Sequence, residues 1–120
     1  LGNAPFANWG RIQGLPDSFV RSIVSRADGD LWIGTSDGLA RIRDDRLEKV
    51  AQPDLASRSI MALLPTGPEE LWIGTYDGGL ARWTPTRTSI FRPGSGIPND
   101  QVRALMQDRQ GTVWVGTAQG

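Results

Sequence analysis

The chain has 120 residues, 38% hydrophobic and 22% charged, with thirteen Lys and Arg balanced by thirteen Asp and Glu. That composition supports a folded core rather than a disordered tail, and zero net charge gives no global field to draw in nucleic acid or an anionic membrane. Cysteine and histidine are both absent, which removes disulfides, thiolate and Ser-His catalysis, and Cys- or His-ligated zinc from this stretch.

No apolar run approaches the length of a membrane span and no signal-peptide pattern is present. Membrane attachment is therefore expected only through other segments of a longer parent. The fifteen glycines and five tryptophans carry most of the information.

The chain repeats itself. LWIGTSDGLARIR at 31–43 returns as LWIGTYDGGLARW at 71–83 and, shorter, as VWVGTAQG at 113–120. Trp32, Trp72 and Trp114 are thus 40 and 42 residues apart. Upstream, Gly14-Leu15-Pro16 and Gly96-Ile97-Pro98 each lie eighteen residues before their tryptophan, with Asp54-Leu55-Ala56 in the middle copy. Apolar columns also align: Val20, Ile60 and Val102; Ile23, Leu63 and Leu105; Val24, Leu64 and Met106.

Taken in order, residues 1–13 are expected to form the last strand of a preceding unit. Trp9 stands five residues before Gly14 just as Phe91 stands five before Gly96. Units then follow at 14–53 and 54–95, with a truncated one at 96–120. Within each, Asp28-Gly29, Asp37-Gly38, Asp77-Gly78 and Gln110-Gly111 are turn dipeptides between apolar runs, the signature of hairpins.

Val20, Ile23 and Val24 also have helix spacing. The run is short and bounded by turns, which favours a strand. Four short strands per period of about 40 to 45 residues predict an all-β fold, a β-propeller fragment of about three four-stranded antiparallel blades.

The stretch GLPDSFVRSIVSRADGDLWIGTSDGLARI resembles the two-component-regulator propeller repeat, through its GLP or GIP entry, its G-x-(L/V)-W-(I/V)-G-T centre and its G-L-A-R exit. That resemblance implies seven-bladed propellers in the periplasmic sensor region of an inner-membrane signalling protein with a histidine kinase or diguanylate cyclase (GGDEF) output. By the same resemblance the segment is non-catalytic and senses a ligand or dimerises. Because three blades cannot close a ring, the chain reads as a piece of a larger protein, with blade faces open to self-association. A fragment of a streptogramin-type propeller lyase and a WD-like interaction scaffold are the alternatives.

Trp32, Gly34, Trp72, Gly74, Trp114 and Gly116 recur at fixed repeat positions and are expected to pack between blades rather than stack on sugars. Arg41 and Arg82 are expected to face a blade edge or a neighbouring carboxylate rather than to form a ligand-binding pair. No catalytic pair, metal site or cofactor is expected. The Asp box of sialidases, which joins a turn Asp to a Trp, is set aside because Asp28 and Asp108 do not keep its spacing. Candidate binding positions for a small molecule or glycan are the polar loops that vary between copies: Asp17, Ser36, Asp37, Tyr76, Asp77, Asn99 and Asp100. Variable loops on a repeated scaffold commonly carry specificity.

Overall fold

The computed structural model describes residues 20–26, 29–50, 55 and 59–120. The expected first strand at 1–13, and Asp17 and Asp28, lie outside the described residues. All ten described regular elements are strands. The first sheet contains β1 (Val20–Ser25), β2 (Leu31–Thr35), β3 (Gly38–Arg43) and β4 (Arg46–Val50). The second contains β5 (Ile60–Gly67), β6 (Glu70–Thr75), β7 (Leu80–Thr84) and β8 (Arg87–Phe91), and the third pairs β9 (Val102–Gln107) with β10 (Val113–Thr117). Every neighbouring pair is antiparallel and sequential, so the sheets are up-and-down meanders, and the all-β propeller fragment is the observed fold.

The helix-like spacing has a structural cause. In β5, Ile60 pairs with Thr75 while Ala62 pairs with the adjacent Gly74, so one extra residue bulges out of the ladder. The same shift occurs between Val20 and Ser22 in β1. A bulge inserts one residue and converts a two-residue repeat locally into three. Ile60 and Leu63 therefore face the same neighbour, and both approach Gly34.

Turn chemistry fixes the hairpins. Asp44 (φ 52°) and Asp45 (φ 62°) form the two-residue connection between the paired Arg43 and Arg46. Two consecutive positive φ values define the hairpin turn that suits strand twist, and Asp tolerates that region better than most residues. Gly29 and Gly111 occupy equivalent positions with φ of 93° and 87°.

The core lies between successive sheets. Trp32 and Leu39 of the first sheet pack with Ile60, Leu63, Leu71, Ile73 and Ala81 of the second. Between the second and third, Leu80, Ile97 and Val102 form the next layer, with Trp72, Phe91, Leu105 and Val115 against it. Trp32 meets Trp83 at 5.5 Å between ring centroids, and Trp72 stacks on Phe91 at 6.0 Å. Each such pair adds about 0.5–1.5 kcal/mol beyond the area it buries.

Along the tryptophan column, Trp32 is 3% exposed and Trp114 is 58% exposed. The third sheet has two strands, and no described strand pairs with the outer edge of β10 to cover that indole.

Candidate functional site

In each meander the turn joining the second and third strands lies at the end opposite the turn joining the first and second. At this end the variable loops gather. The threonine that closes each W-x-G-T run organises the turn. Thr35 Oγ1 donates to Gly38 O at 3.0 Å and accepts from Asp37 N at 3.1 Å. Thr75 Oγ1 donates to Gly79 O at 2.8 Å and accepts from Gly78 N at 3.0 Å. In the third copy Gln119 N donates to Thr117 Oγ1 at 3.2 Å. Sequence reasoning gave these threonines no role, although their recurrence after Gly34, Gly74 and Gly116 was the available signal.

The loops of the second and third sheets are tied together. Gly79 N donates to Asp100 O at 2.9 Å, while within the second sheet Tyr76 N donates to Ser59 O at 2.9 Å. Arg92 grips the Asp100 carboxylate with Nε on one oxygen and Nη2 on the other, both at 2.9 Å. That fork holds the Asp100 carboxyl below the usual carboxylate range and raises the Arg92 pKa, to which the charge of Asp77 also contributes. Asn99 Oδ1 accepts from Gln101 N at 2.9 Å and fixes the entry to β9.

The structure thus brings Asp77, Asn99 and Asp100 around Arg92, with the half-exposed Tyr76 on the adjoining turn. Ser36 and Asp37 occupy the corresponding turn of the first sheet. Arg92 was missed in the sequence because the carboxylate it grips, Asp100, belongs to the next unit. This rim offers hydrogen-bonding groups and an aromatic ring. The Asp100 carboxylate is stabilised in its ionised form by Arg92, which disfavours it as a proton donor. No His, Cys, Asp and Glu cluster suitable for a metal occurs among the described residues.

At the opposite end, arginines meet carboxylates as expected. Arg41 bonds Glu48 at 2.7 Å, directly across the β3–β4 ladder, and lies 5.2 Å above the Trp32 ring. Arg82 bonds Glu70 and lies 5.7 Å above Trp72. Thr66 and Arg82 together hold the Glu70 carboxyl below its ordinary range. Arg43 pairs with Asp30 at 2.8 Å.

The third copy contains an aspartate-centred turn to which the sequence reading gave no role. Asp108 Oδ1 accepts from the backbone nitrogens of Gln110 and Thr112, and Oδ2 accepts from Trp114 Nε1 at 2.9 Å. An aspartate six residues before the tryptophan therefore ties the β9–β10 turn to the indole.

Two stretches, residues 14–37 and 96–119, match the family model described as the two component regulator propeller. These two stretches are similar to that repeat. In the described residues the matches cover β1, β2 and their turn, and then the entry to β9 through β10. No curated protein matches the chain.

Among solved structures, the chain is similar to the extracellular domains of two proteins from B. thetaiotaomicron described as hybrid two component systems. One gives a TM-score of 0.75 at 21% identity over 91% of this chain, and the other 0.69 at 25% identity over 89%. The chain spans 17% and 15% of those two proteins' chains. It is also similar in fold to a catalytically inactive virginiamycin B lyase from Staphylococcus aureus solved with quinupristin, with a TM-score of 0.63 at 16% identity, covering 87% of this chain and 36% of that one.

Proposed function

We propose that this chain is part of the extracytoplasmic, periplasmic sensing region of a bacterial transmembrane signalling protein, with a histidine kinase or diguanylate cyclase as its output and no catalysis of its own. The observation that carries this reading is the pair of regulator-propeller matches lying in register on the first and third sheets. The likeness to extracellular domains of hybrid two component systems supports it.

In this reading a small molecule or glycan fragment engages the rim formed by Ser36, Asp37, Tyr76, Asp77, Asn99 and Asp100. The ring of Tyr76 supplies a stacking face, and the carboxylates and amide supply hydrogen-bond acceptors and donors. Blade faces open at the two ends of the stack also bring copies of the chain together.

Location is tested by fusing reporters after Gly120 in the natural reading frame. Alkaline phosphatase is expected to be active there and green fluorescent protein dark. The opposite pattern overturns the reading. Chemical conversion of a bound compound, seen by mass spectrometry, would contradict the absence of catalysis.

A further inference from the structure

The three sheets shift register at the same place. In β1, Val20 pairs with Thr35 and Ser22 with the adjacent Gly34; in β9, Val102 pairs with Thr117 and Ala104 with Gly116. Together with the bulge in β5, the extra residues are Arg21, Met61 and Arg103. β1, β5 and β9 are edge strands of their sheets and contact one another in that order. The bulged residues therefore form a row along one edge of the stack, at the end that carries the Thr35, Thr75 and Thr117 turns. A bulge re-aims the side chain it carries and is common beside functional sites.

The row is cationic. Arg21 and Arg103 are exposed and Met61 is half-buried. Arg21 Nη1 lies 3.2 Å from Met61 Sδ, a weak acceptor, so its guanidinium rests against the second sheet. Arg103 Nε donates to Gln101 Oε1 at 2.9 Å. Each guanidinium is thus oriented by one neutral group, keeps the rest of its five donors, and forms no ion pair among the described residues. Arg41, Arg43, Arg82 and Arg92, by contrast, each hold a carboxylate. The strands that carry the row, VRSIVS, IMALLPTG and VRALMQ, contain no Asp or Glu. Asp100, on the approach to β9, is taken by Arg92. Asp37 and Asp77 stand on the turns from second to third strands and pair with neither arginine. Packed sheets lie about 10 Å apart, and Arg21 already crosses the first gap, so the two guanidinium groups stand about one such spacing from each other.

We propose that the ligand of the rim is an anionic oligosaccharide, whose carboxylate or sulfate groups are received by Arg21 and Arg103 while a sugar ring lies over Met61 between them. The proposal rests on the reading that the rim binds a glycan, and it names the charge of that glycan. Guanidinium groups hold such anions by charge-assisted hydrogen bonds, and a thioether offers an adaptable apolar surface.

The chain has two methionines, so carbon-13 labelling of their methyl groups gives two signals. Met61 reports on the row, and Met106, at the far end of β9 opposite Trp114, serves as the control. The labelled chain is titrated with trigalacturonate, sulfated maltotriose and maltotriose. At least one anionic trisaccharide is expected to move the Met61 signal saturably while Met106 stays in place, and the stronger of the two tells carboxylate from sulfate. Maltotriose is expected to move neither, and added salt to weaken the anionic binding, as for exposed charges. Arg21→Gln and Arg103→Gln are each expected to weaken it about tenfold. An unmoved Met61 signal with both anionic sugars, an equal response to maltotriose, or affinities untouched by both substitutions overturns the proposal. Tyr76→Ala separates it from the reading on which it rests. Maltotriose binding that needs Tyr76 and neither arginine keeps the rim and overturns the anionic ligand. Anionic binding that needs the arginines and not Tyr76 keeps the row and removes the rim.

Discussion

Ile60 occupies the space in which a side chain at position 34 would sit: a Cβ built on Gly34 would lie 2.5 Å from Ile60 Cγ2. The relationship repeats one sheet along, where a Cβ on Gly74 would lie 2.5 Å from Val102 Cγ1. Each sheet therefore receives the first apolar residue of the next sheet in a hollow that only glycine provides. At Gly116 the corresponding Cβ would touch nothing closer than Ala104, at an ordinary 3.5 Å.

Gly34→Ala and Gly74→Ala are accordingly expected to destabilise the chain by about 1–3 kcal/mol each, the usual cost of overpacking a filled core. Gly116→Ala is expected to change stability by less than about 0.5 kcal/mol, as at a surface site. Urea unfolding of the three variants checks this. Equal losses at all three positions would show that the hollow is not the reason for the glycine.

The turn threonines give a second expectation. Thr75 is buried and its hydroxyl serves as both donor and acceptor within one turn. Thr75→Val keeps the shape but leaves Gly79 O and Gly78 N without that partner. A loss of about 1–3 kcal/mol is expected. Thr75→Ser retains the hydroxyl and removes one methyl group, so its loss should be smaller, near 1 kcal/mol. Equilibrium denaturation that ranks the serine variant as the weaker of the two contradicts this assignment.

Acid should loosen the structure through three carboxylates. Asp108 is held below its ordinary value of 3.8 first by the Trp114 indole and then by the Thr112 amide. Asp100 is lowered by Arg92, and Glu70 by Thr66 and Arg82. A carboxylate with a depressed folded-state pKa contributes stability that is present above its unfolded value and disappears as pH falls through the folded one. Stability is therefore expected to be flat around neutral pH and to decline below about pH 4, the unfolded carboxylate range. Asp108→Asn should flatten part of that decline and speed hydrogen exchange of the Trp114 indole. A pH profile for the variant that parallels the original removes Asp108 from the account.

Much of this was legible in the residues. The period of Trp32, Trp72 and Trp114 and the Asp-Gly and Gln-Gly dipeptides led to antiparallel hairpins because turns and alternation are local properties. Arg41 and Arg82, expected at an edge or against a carboxylate, meet Glu48 and Glu70. What escaped was anything that depends on neighbours in space. The bulge at Ile60–Ala62 is invisible without its partner strand, so its apolar spacing imitates a helix. Arg92 finds Asp100 across a loop from the next unit, and the exposure of Trp114 follows from what does not cover β10. The bond from the Trp114 indole to Asp108 likewise depends on how the β9–β10 turn folds back, which spacing does not reveal.

Self-association follows from the same knob and hollow. In the repeat register, Val20 of β1 corresponds to Ile60 and Val102, and Gly116 corresponds to Gly34 and Gly74. Ile60 and Val102 are fully buried in their neighbours' hollows, whereas Val20 is 41% exposed and Ile23, in the column of Leu63, is 60% exposed. At the other end Met106 and Trp114 are also exposed. Head-to-tail contact, with Val20 of one copy entering the hollow at Gly116 of the next, repeats the geometry found twice within the chain. Such a heterologous contact either closes into a ring or continues as a filament. Light scattering on a sizing column is expected to show mass increasing with concentration. Val20→Asp at one end and Gly116→Ile at the other should each reduce it, because the first places a charge in an apolar contact and the second fills the hollow. A chain that stays monomeric at high micromolar concentration, or assembles equally well with both substitutions, excludes this contact.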